Sequence, residues 1–200
     1  MKGAASLSAD AFVRTVKLAA GLDRLEPDER RRTTQHAAIE AIAERLVDGG
    51  DAGALMAALP RVLGDAMQAF GWSWNGFYVA HPDGRLRLGH AYGPPVCAEL
   101  ERHGGLLSSG MCFDAYLLNQ CLVVPDVKVW PGYVSCDAES GLNTVGGIVC
   151  PVRDPDGRPL GVWDLDATQP VTAGDGRLVE SLFAGLARVF ALRAVDLGPG

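Results

Sequence analysis

The sequence predicts an α+β domain in which helices cover one face of an antiparallel sheet and long loops cover the other. Three observations support this fold class: helical periodicity as far as Gly71, strand-like alternation after it, and helical spacing again near the C-terminus. That order of elements is typical of an α+β layer. The chain has 200 residues, of which 48% are hydrophobic, so it can form one sizeable core.

The helices come first. Apolar residues recur at helical spacing over segments 8–20, 28–47, 52–70 and 174–194. Ser8 or Asp10 offers an N-cap for the first helix. Within the third segment, Pro60 predicts the beginning of a fresh helix, because proline is favoured in the first helical turn. The first fifty residues are interpreted as a helical extension, 1–50, that precedes the main domain, 51–195.

Strand patterns begin after Gly71. They cover segments 73–80, 85–92, 122–124, 147–153 and 159–167, and a short helix is predicted over 111–119. The turn sequences at 81–84 and 154–157 predict two hairpins. Two long loops, 93–110 and 125–146, remain between these elements. Loops of this length in a compact domain are usually functional, so we expect the site on the loop face.

Composition excludes several classes of function. The net charge of −6 gives no basic surface for nucleic acid or for an anionic membrane. No apolar stretch is long enough to cross a bilayer. A secretory signal needs an uninterrupted apolar run, and Asp10, Arg14 and Lys17 interrupt the N-terminal segment. We therefore expect a cytoplasmic protein whose partner is a small molecule or another protein.

Five cysteines stand at positions 97, 112, 121, 136 and 150. Their odd number and the lack of a CxxC pair indicate neither a disulfide framework nor a zinc ribbon, and the four histidines show no metal-ligand spacing. Cys121 and Cys150 fall in or beside predicted strands and are interpreted as small buried hydrophobes. Cys97 and Cys136 lie in the loops, whereas Cys112 lies near a helix start, where terminal amides lower a thiol pKa if the sulfur reaches them. We interpret these three as reactive thiols.

Two carboxylates share one strand face. Asp164 and Asp166 are two residues apart, so they leave the sheet on the same side as Val162, while Trp163 and Leu165 point to the other side. If the helices cover the Trp163 side, the two acids lie under the loops, where they could hold a cation or share a proton. The alternative interpretation is an ordinary solvent-facing strand.

Aromatic residues form a second candidate group. Trp74 and Tyr78 share one face of their strand and carry polar groups suited to a pocket wall, although core packing would also explain them. Phe77, on the opposite face, is interpreted as core. Trp130 and Tyr133 lie in the irregular segment, where they could cover a cavity, and Trp130 is a candidate binding residue.

The motifs together resemble a known family, the free methionine-R-sulfoxide reductases, which consist of a single GAF domain. The matching pieces, in chain order, are WNGFY at 74–78, Cys97, Cys112, NQ at 119–120, DVKVW at 126–130, CDA at 136–138, IVxP at 148–151 and GVWDLD at 161–166. The resemblance covers residues 74–166. It implies a GAF-like fold and the reduction of a small-molecule sulfoxide.

The resemblance also implies roles for the cysteines. Cys136 would attack the sulfoxide sulfur and become a sulfenic acid, and Cys97 would resolve it to a disulfide. Cys112 could assist or substitute for Cys97. Thioredoxin or a similar dithiol would reduce the disulfide, and no cofactor would be needed.

For binding, the resemblance implies that Asp164 and Asp166 hold the amine and the sulfoxide end of the substrate. Asp164 is the candidate proton donor to the departing oxygen. Trp74 and Tyr78 would form a wall of the pocket. The first fifty residues lie outside the resemblance, and dimer contacts would explain them.

One departure from the family pattern affects the substrate. The family carries a glutamate immediately before the Ile148–Val149 pair, where this chain has Gly147. Glu139 or Asn143, in a loop longer than the family's, could replace that acid. The missing side chain and the longer loops predict a roomier pocket and a sulfoxide that is larger than methionine sulfoxide or has a different amine.

A function from another class competes with the enzyme. A GAF domain can instead be a ligand-binding or redox-sensing module whose cysteines do not turn over substrate. The sequence shows no kinase, cyclase or DNA-binding segment through which such a module would act, and this favours the enzyme.

Overall fold

A six-stranded antiparallel sheet forms the centre of the protein in a computed structural model, which describes residues 8–47, 51–135 and 141–199. The strands are β1 Trp72–Ala80, β2 Leu86–Tyr92, β3 Glu99–Leu100, β4 Leu122–Val124, β5 Gly146–Arg153 and β6 Pro159–Ala167. Their spatial order is β3-β2-β1-β6-β5-β4. Both predicted hairpins are confirmed, and β3 is a short strand inside the first long loop that the sequence did not predict.

The helices follow the predicted segments with three differences. They are α1 Ala9–Ala20, α2 Leu22–Leu25, α3 Glu29–Val47, α4 Ala52–Met67, α5 Met111–Leu118 and α6 Ala173–Val189, with 3-10 turns at Gln68–Phe70, Val127–Val129 and Ala194–Leu197. Of the two N-cap candidates, Ser8 caps α1 and Asp10 lies in its first turn. The short helix α2 was not predicted, and the last helix ends at Val189, before extended backbone at Phe190. No helix of the described ranges is both long and apolar enough to cross a membrane.

Pro60 is the third difference, because it lies inside a continuous α4 and does not begin a new helix. A proline there removes a helical hydrogen bond, which typically costs about 3 kcal/mol or more. Burial offsets this cost, since Leu59 and Leu63 on either side are fully buried. The Pro60 carbonyl also accepts a hydrogen bond from Asn75 Nδ2 at 2.9 Å, which ties α4 to the sheet.

The main core lies between the sheet and the helices. Trp163 and Phe77 point to this side and contact the Phe183 ring of α6. The N-terminal helices α1 and α3 belong to the same core, to which they contribute the fully buried Phe12 and Ile39. The boundary between the predicted extension, 1–50, and the predicted domain, 51–195, stays a prediction.

A disulfide joins Cys121 and Cys150 and corrects their interpretation as unpaired hydrophobes. Strand register explains the bond: Leu122 of β4 pairs with Val149 of β5, so Cys121 faces Cys150 with Cα atoms 4.1 Å apart. The two cysteines are 29 residues apart in sequence, and this spacing did not predict their pairing. Cys150 packs in the helix-side core, so this disulfide lies on the face opposite the long loops.

The disulfide is expected to stabilise the oxidised protein. The Cys121→Ala/Cys150→Ala double variant should lose about 2–4 kcal/mol of unfolding free energy, since a bond closing a loop of this length limits the unfolded chain. Urea unfolding of both proteins, oxidised and then fully reduced with dithiothreitol, measures the effect. The difference in unfolding free energy between the two proteins should shrink on reduction. An equal difference in the oxidised and reduced proteins would contradict a stabilising role for the disulfide.

Candidate functional site

A cavity of about 230 Å³ lies under the long loops, on the face of the sheet opposite the main helical core. Its wall includes Trp74 and Tyr78 of β1, Asp164 and Asp166 of β6, and the cysteines Cys97 and Cys112. The volume is below the range of about 300–1,000 Å³ that is usual for drug-sized ligands. The cavity therefore suits a small metabolite.

Strand alternation places the two aspartates as predicted. Trp163 and Leu165 belong to the helix-side core, whereas Asp164 and Asp166 line the cavity. In the sheet register Asp166 faces Trp74 on one side and Gly147 on the other. Three neighbouring strands thus bring these residues into one row across the cavity floor.

Cys112, which is buried, forms a hydrogen-bonded pair with Asp164, which is partly buried. The Cys112 thiol donates to Asp164 Oδ2 with a sulfur-to-oxygen distance of 3.3 Å. Burial, followed by the nearby Asp164 carboxylate, raises the pKa of the Cys112 thiol well above its usual range. Burial also raises the pKa of Asp164 from 3.8 to about 6, although the bond from Cys112 opposes the rise. Asp164 can therefore carry a proton near neutral pH and donate it.

The predicted activation of Cys112 by a helix start is wrong. Cys112 is in the first turn of α5, but its sulfur faces a buried carboxylate, and both burial and negative charge disfavour the thiolate. Its own backbone N–H opposes the rise in pKa and is the weakest of the contributions. Within the described residues Cys112 is the free thiol.

A hydrogen bond from Tyr78 holds the Cys97 backbone beside the cavity. The Tyr78 hydroxyl donates to the Cys97 carbonyl oxygen at 2.8 Å, and the Tyr78 and Trp74 ring centroids are 6.0 Å apart. Cys97 is disulfide-bonded. Cys136 and Glu139 lie outside the described residues, so the pairing of Cys97 with Cys136 and the role of Glu139 stay predictions.

The described part of the irregular segment contributes Val127, Tyr133 and Val134 to the cavity wall. Trp130 is not part of the wall and packs against the same hydrophobic cluster. The indole Nε1–H of Trp130 donates to Asp114 Oδ2 at 2.9 Å. The expectation that Trp130 contacts substrate is therefore not supported by its position.

The sequence did not predict a group of ionic residues beside the cavity. Glu99 accepts from Arg85 at 2.5 Å and from Arg87 at 2.9 Å, and Arg85 also contacts Glu101 at 2.8 Å. Both glutamates and His103 line the cavity. The available signal was the alternation of Arg85, just before β2, with Arg87 in β2. The strand β3, which the sequence did not predict, carries the partner charge at Glu99 opposite Arg87. No group of three side chains suited to a metal ion occurs in the described ranges.

Gly147 lines the cavity, with Val127 and Met111 beside it. A Cβ at this position would lie 3.0 Å from Val127 Cγ1 and 3.5 Å from Met111 Cε. The first contact is tight, so a side chain there would require Val127 to shift slightly. That the missing side chain enlarges the pocket stays a prediction.

Comparison with known proteins identifies the family. The free methionine-R-sulfoxide reductase of Escherichia coli is 31% identical to this chain over 121 residues, which are 60% of this chain and 67% of that protein. The chain belongs to the free methionine-R-sulfoxide reductase family. The reductase of the same name from Saccharomyces cerevisiae is 35% identical over 96 residues, 47% of this chain and 48% of that protein. The match thus spans about half the length of that curated relative.

Solved structures agree with this membership at the level of fold. The free methionine-R-sulfoxide reductase of Neisseria meningitidis, determined in complex with its substrate, superposes with a TM-score of 0.66 at 24% identity, over 83% of this chain and 93% of that one. GAF domains are also among the similar structures, so the predicted GAF-like α+β fold is confirmed. Comparison with protein-family models gave no match.

Proposed function

We propose that the chain reduces free methionine-R-sulfoxide, or a closely related amino-acid sulfoxide, with its own thiols as reductant. The observation that carries the proposal is the cavity in which Cys97, Cys112, Asp164 and Asp166 meet beside two aromatic side chains. Membership of the reductase family supports the same activity.

The chemistry proceeds in two steps. The Cys136 thiolate attacks the sulfoxide sulfur, and Asp164 gives a proton to the departing oxygen, so the thioether leaves and the oxygen remains on Cys136 as a sulfenic acid. Cys97 then attacks this sulfur, water leaves, and a disulfide forms. A dithiol of the thioredoxin type reduces the disulfide and takes up its oxidising equivalents.

Substrate binding follows from the cavity floor. Asp166 accepts the α-ammonium group, while the Trp74 and Tyr78 rings pack against the side chain of the substrate. Because the cavity volume is only about 230 Å³, we favour methionine-R-sulfoxide itself over a bulkier sulfoxide. Glu139 stays a proposal as a second carboxylate toward the ammonium.

A substrate panel tests the function. We expect kcat/KM for free methionine-R-sulfoxide to exceed the values for its S epimer, for peptide-bound methionine sulfoxide and for bulkier or N-methylated sulfoxides. A preference for a bulkier sulfoxide would show that the cavity opens beyond the geometry described. If sulfoxides shift the melting temperature without loss of thiols, the chain is a ligand-binding or redox-sensing module instead.

Cys97→Ser is expected to separate the two steps. The first turnover should proceed normally, because the nucleophile is intact, whereas recycling by thioredoxin should fail for want of a resolving thiol. Rapid-quench product analysis, with and without thioredoxin and its reductase, measures both steps. Peptide mapping of oxidised wild-type protein should link Cys97 to Cys136, and a link from Cys112 would reverse the roles of the two candidates.

The setting of the reaction is also part of the proposal. Thioredoxin-type recycling fits a reducing cytoplasm, where such dithiols are maintained. We also propose a homodimer that uses the N-terminal helices. Light scattering of full-length protein tests the dimer, and a monomeric mass would exclude it.

A further inference from the structure

Asp114 is a fully buried carboxylate that the proposed mechanism does not use. It lies in α5, and each of its side-chain oxygens accepts a hydrogen bond from a different loop. The Leu107 backbone N–H donates to Oδ1 at 2.8 Å, and the Trp130 indole N–H donates to Oδ2 at 2.9 Å. A buried carboxylate is tolerated only with such donors, so the geometry ties both loops to one side chain.

Both loops form the wall of the cavity. The loop that follows β3 contributes Ser109, and the segment that follows β4 contributes Tyr133. Cys112, two residues before Asp114 on the same helix, lines the same cavity. A change in the separation between the two loops would therefore change the shape of the cavity at Cys112.

The backbones of the two loops meet where Asp114 holds them. Leu107 has a φ of 61°, an uncommon left-handed conformation for a leucine, and the N–H of this same residue is bound by Asp114. Gly132 has a φ of 69°, and a Cβ there would overlap the Leu107 carbonyl oxygen. A strained residue and an obligatory glycine at one contact indicate that a specific loop arrangement is maintained.

We propose that Asp114 is a positioning residue that holds the two loops together and so determines the fit of the substrate and access to Cys112. The part that concerns substrate rests on the proposed function. The part that concerns access to Cys112 does not, because it depends only on the loops.

Asp114→Asn tests the proposal with little change in shape. The amide nitrogen would face one of the two N–H donors, so one hydrogen bond is lost. We expect KM for methionine-R-sulfoxide to rise about tenfold or more, as is typical when a hydrogen bond to a charged group is lost, while kcat changes less than about threefold. Alkylation of Cys112 by iodoacetamide, followed by peptide mass spectrometry, should accelerate by a similar factor.

Two further variants make the test decisive. Asp156→Asn removes the same charge from an exposed acid in the turn between β5 and β6, away from both loops, and should behave as wild type. Trp130→Phe removes only one donor, should shift KM and Cys112 labelling in the same direction, and decides the matter if Asp114→Asn does not fold. The proposal would be overturned if folded Asp114→Asn, or folded Trp130→Phe, kept the wild-type KM and the wild-type rate of Cys112 alkylation. If wild-type protein reduces no sulfoxide, the proposed function fails, but Cys112 labelling still decides the role of Asp114.

Discussion

Cys136→Ser is expected to abolish the formation of methionine in a single turnover, with a loss of at least about 1,000-fold. The reason is chemical: a serine hydroxyl at neutral pH cannot attack the sulfoxide sulfur and cannot form a sulfenic acid. The measurement is product formed per enzyme when the reduced variant is mixed with excess methionine-R-sulfoxide and no external reductant.

Cys112→Ser is the matched control for that experiment. Burial and the Asp164 carboxylate raise the pKa of Cys112, so it is almost entirely a neutral thiol at neutral pH and a poor nucleophile. Its serine variant should keep a full first turnover. If instead Cys136→Ser forms one equivalent of methionine and Cys112→Ser forms none, Cys112 is the nucleophile and a large fall in its pKa must accompany substrate binding.

Asp164→Asn is expected to make the protein less active and more stable. Loss of a general acid typically lowers kcat by about 100-fold or more. Stability should change in the opposite direction, because the folded protein raises the pKa of Asp164 from 3.8 to about 6 and so disfavours its charged form. That shift corresponds to roughly 3 kcal/mol at neutral pH. We expect about 1–2 kcal/mol, because Asp164 is only partly buried and part of its surface faces the cavity.

The raised pKa of Asp164 determines how the stability difference between Asp164→Asn and wild type changes with pH. A carboxyl group whose pKa is higher in the folded state contributes stability below about pH 4, and this contribution is lost as the pH rises through about 6. The stability advantage of Asp164→Asn over wild type should therefore grow between about pH 4 and pH 7. Wild-type kcat should fall over the same upper range as the proton donor ionises. Urea unfolding and turnover across this pH range measure both effects, and a pH-independent difference in stability would contradict the raised pKa.

Asp166→Asn provides the comparison on the same strand face. Asp166 lines the cavity two residues along β6 and is proposed to receive the ammonium group. Its replacement should raise KM more than it lowers kcat, since binding and not proton transfer is affected. Equal effects of the two variants on kcat would remove the distinction between proton donor and ammonium acceptor.

Local sequence patterns predicted the residues that share a face. Side chains alternate along a strand whatever its neighbours are, so the spacing of Asp164 and Asp166 placed them together before any contact was known. The same rule put Trp74 and Tyr78 on the cavity side and Phe77 in the core. Turn residues likewise predicted both hairpins, because their backbone preferences are local.

Contacts between distant segments could not be predicted in this way. The Cys121–Cys150 bond depends on the register between β4 and β5, which local patterns at the two cysteines do not specify. The high pKa of Cys112 depends on Asp164, which is 52 residues away in sequence. A helix start alone suggested the opposite shift.

The sequence by itself therefore determined the α+β class, the strand faces and, through its motifs, the reductase resemblance. Only the tertiary structure decided that Val127 and Met111 pack beside Gly147, that Trp130 donates to the buried Asp114, and that the buried Cys112 thiol lies against Asp164. The physical reason is the range of the interactions. Periodicity and turn preference act within a few residues, whereas burial, register and electrostatic environment arise only when segments distant in the chain pack together.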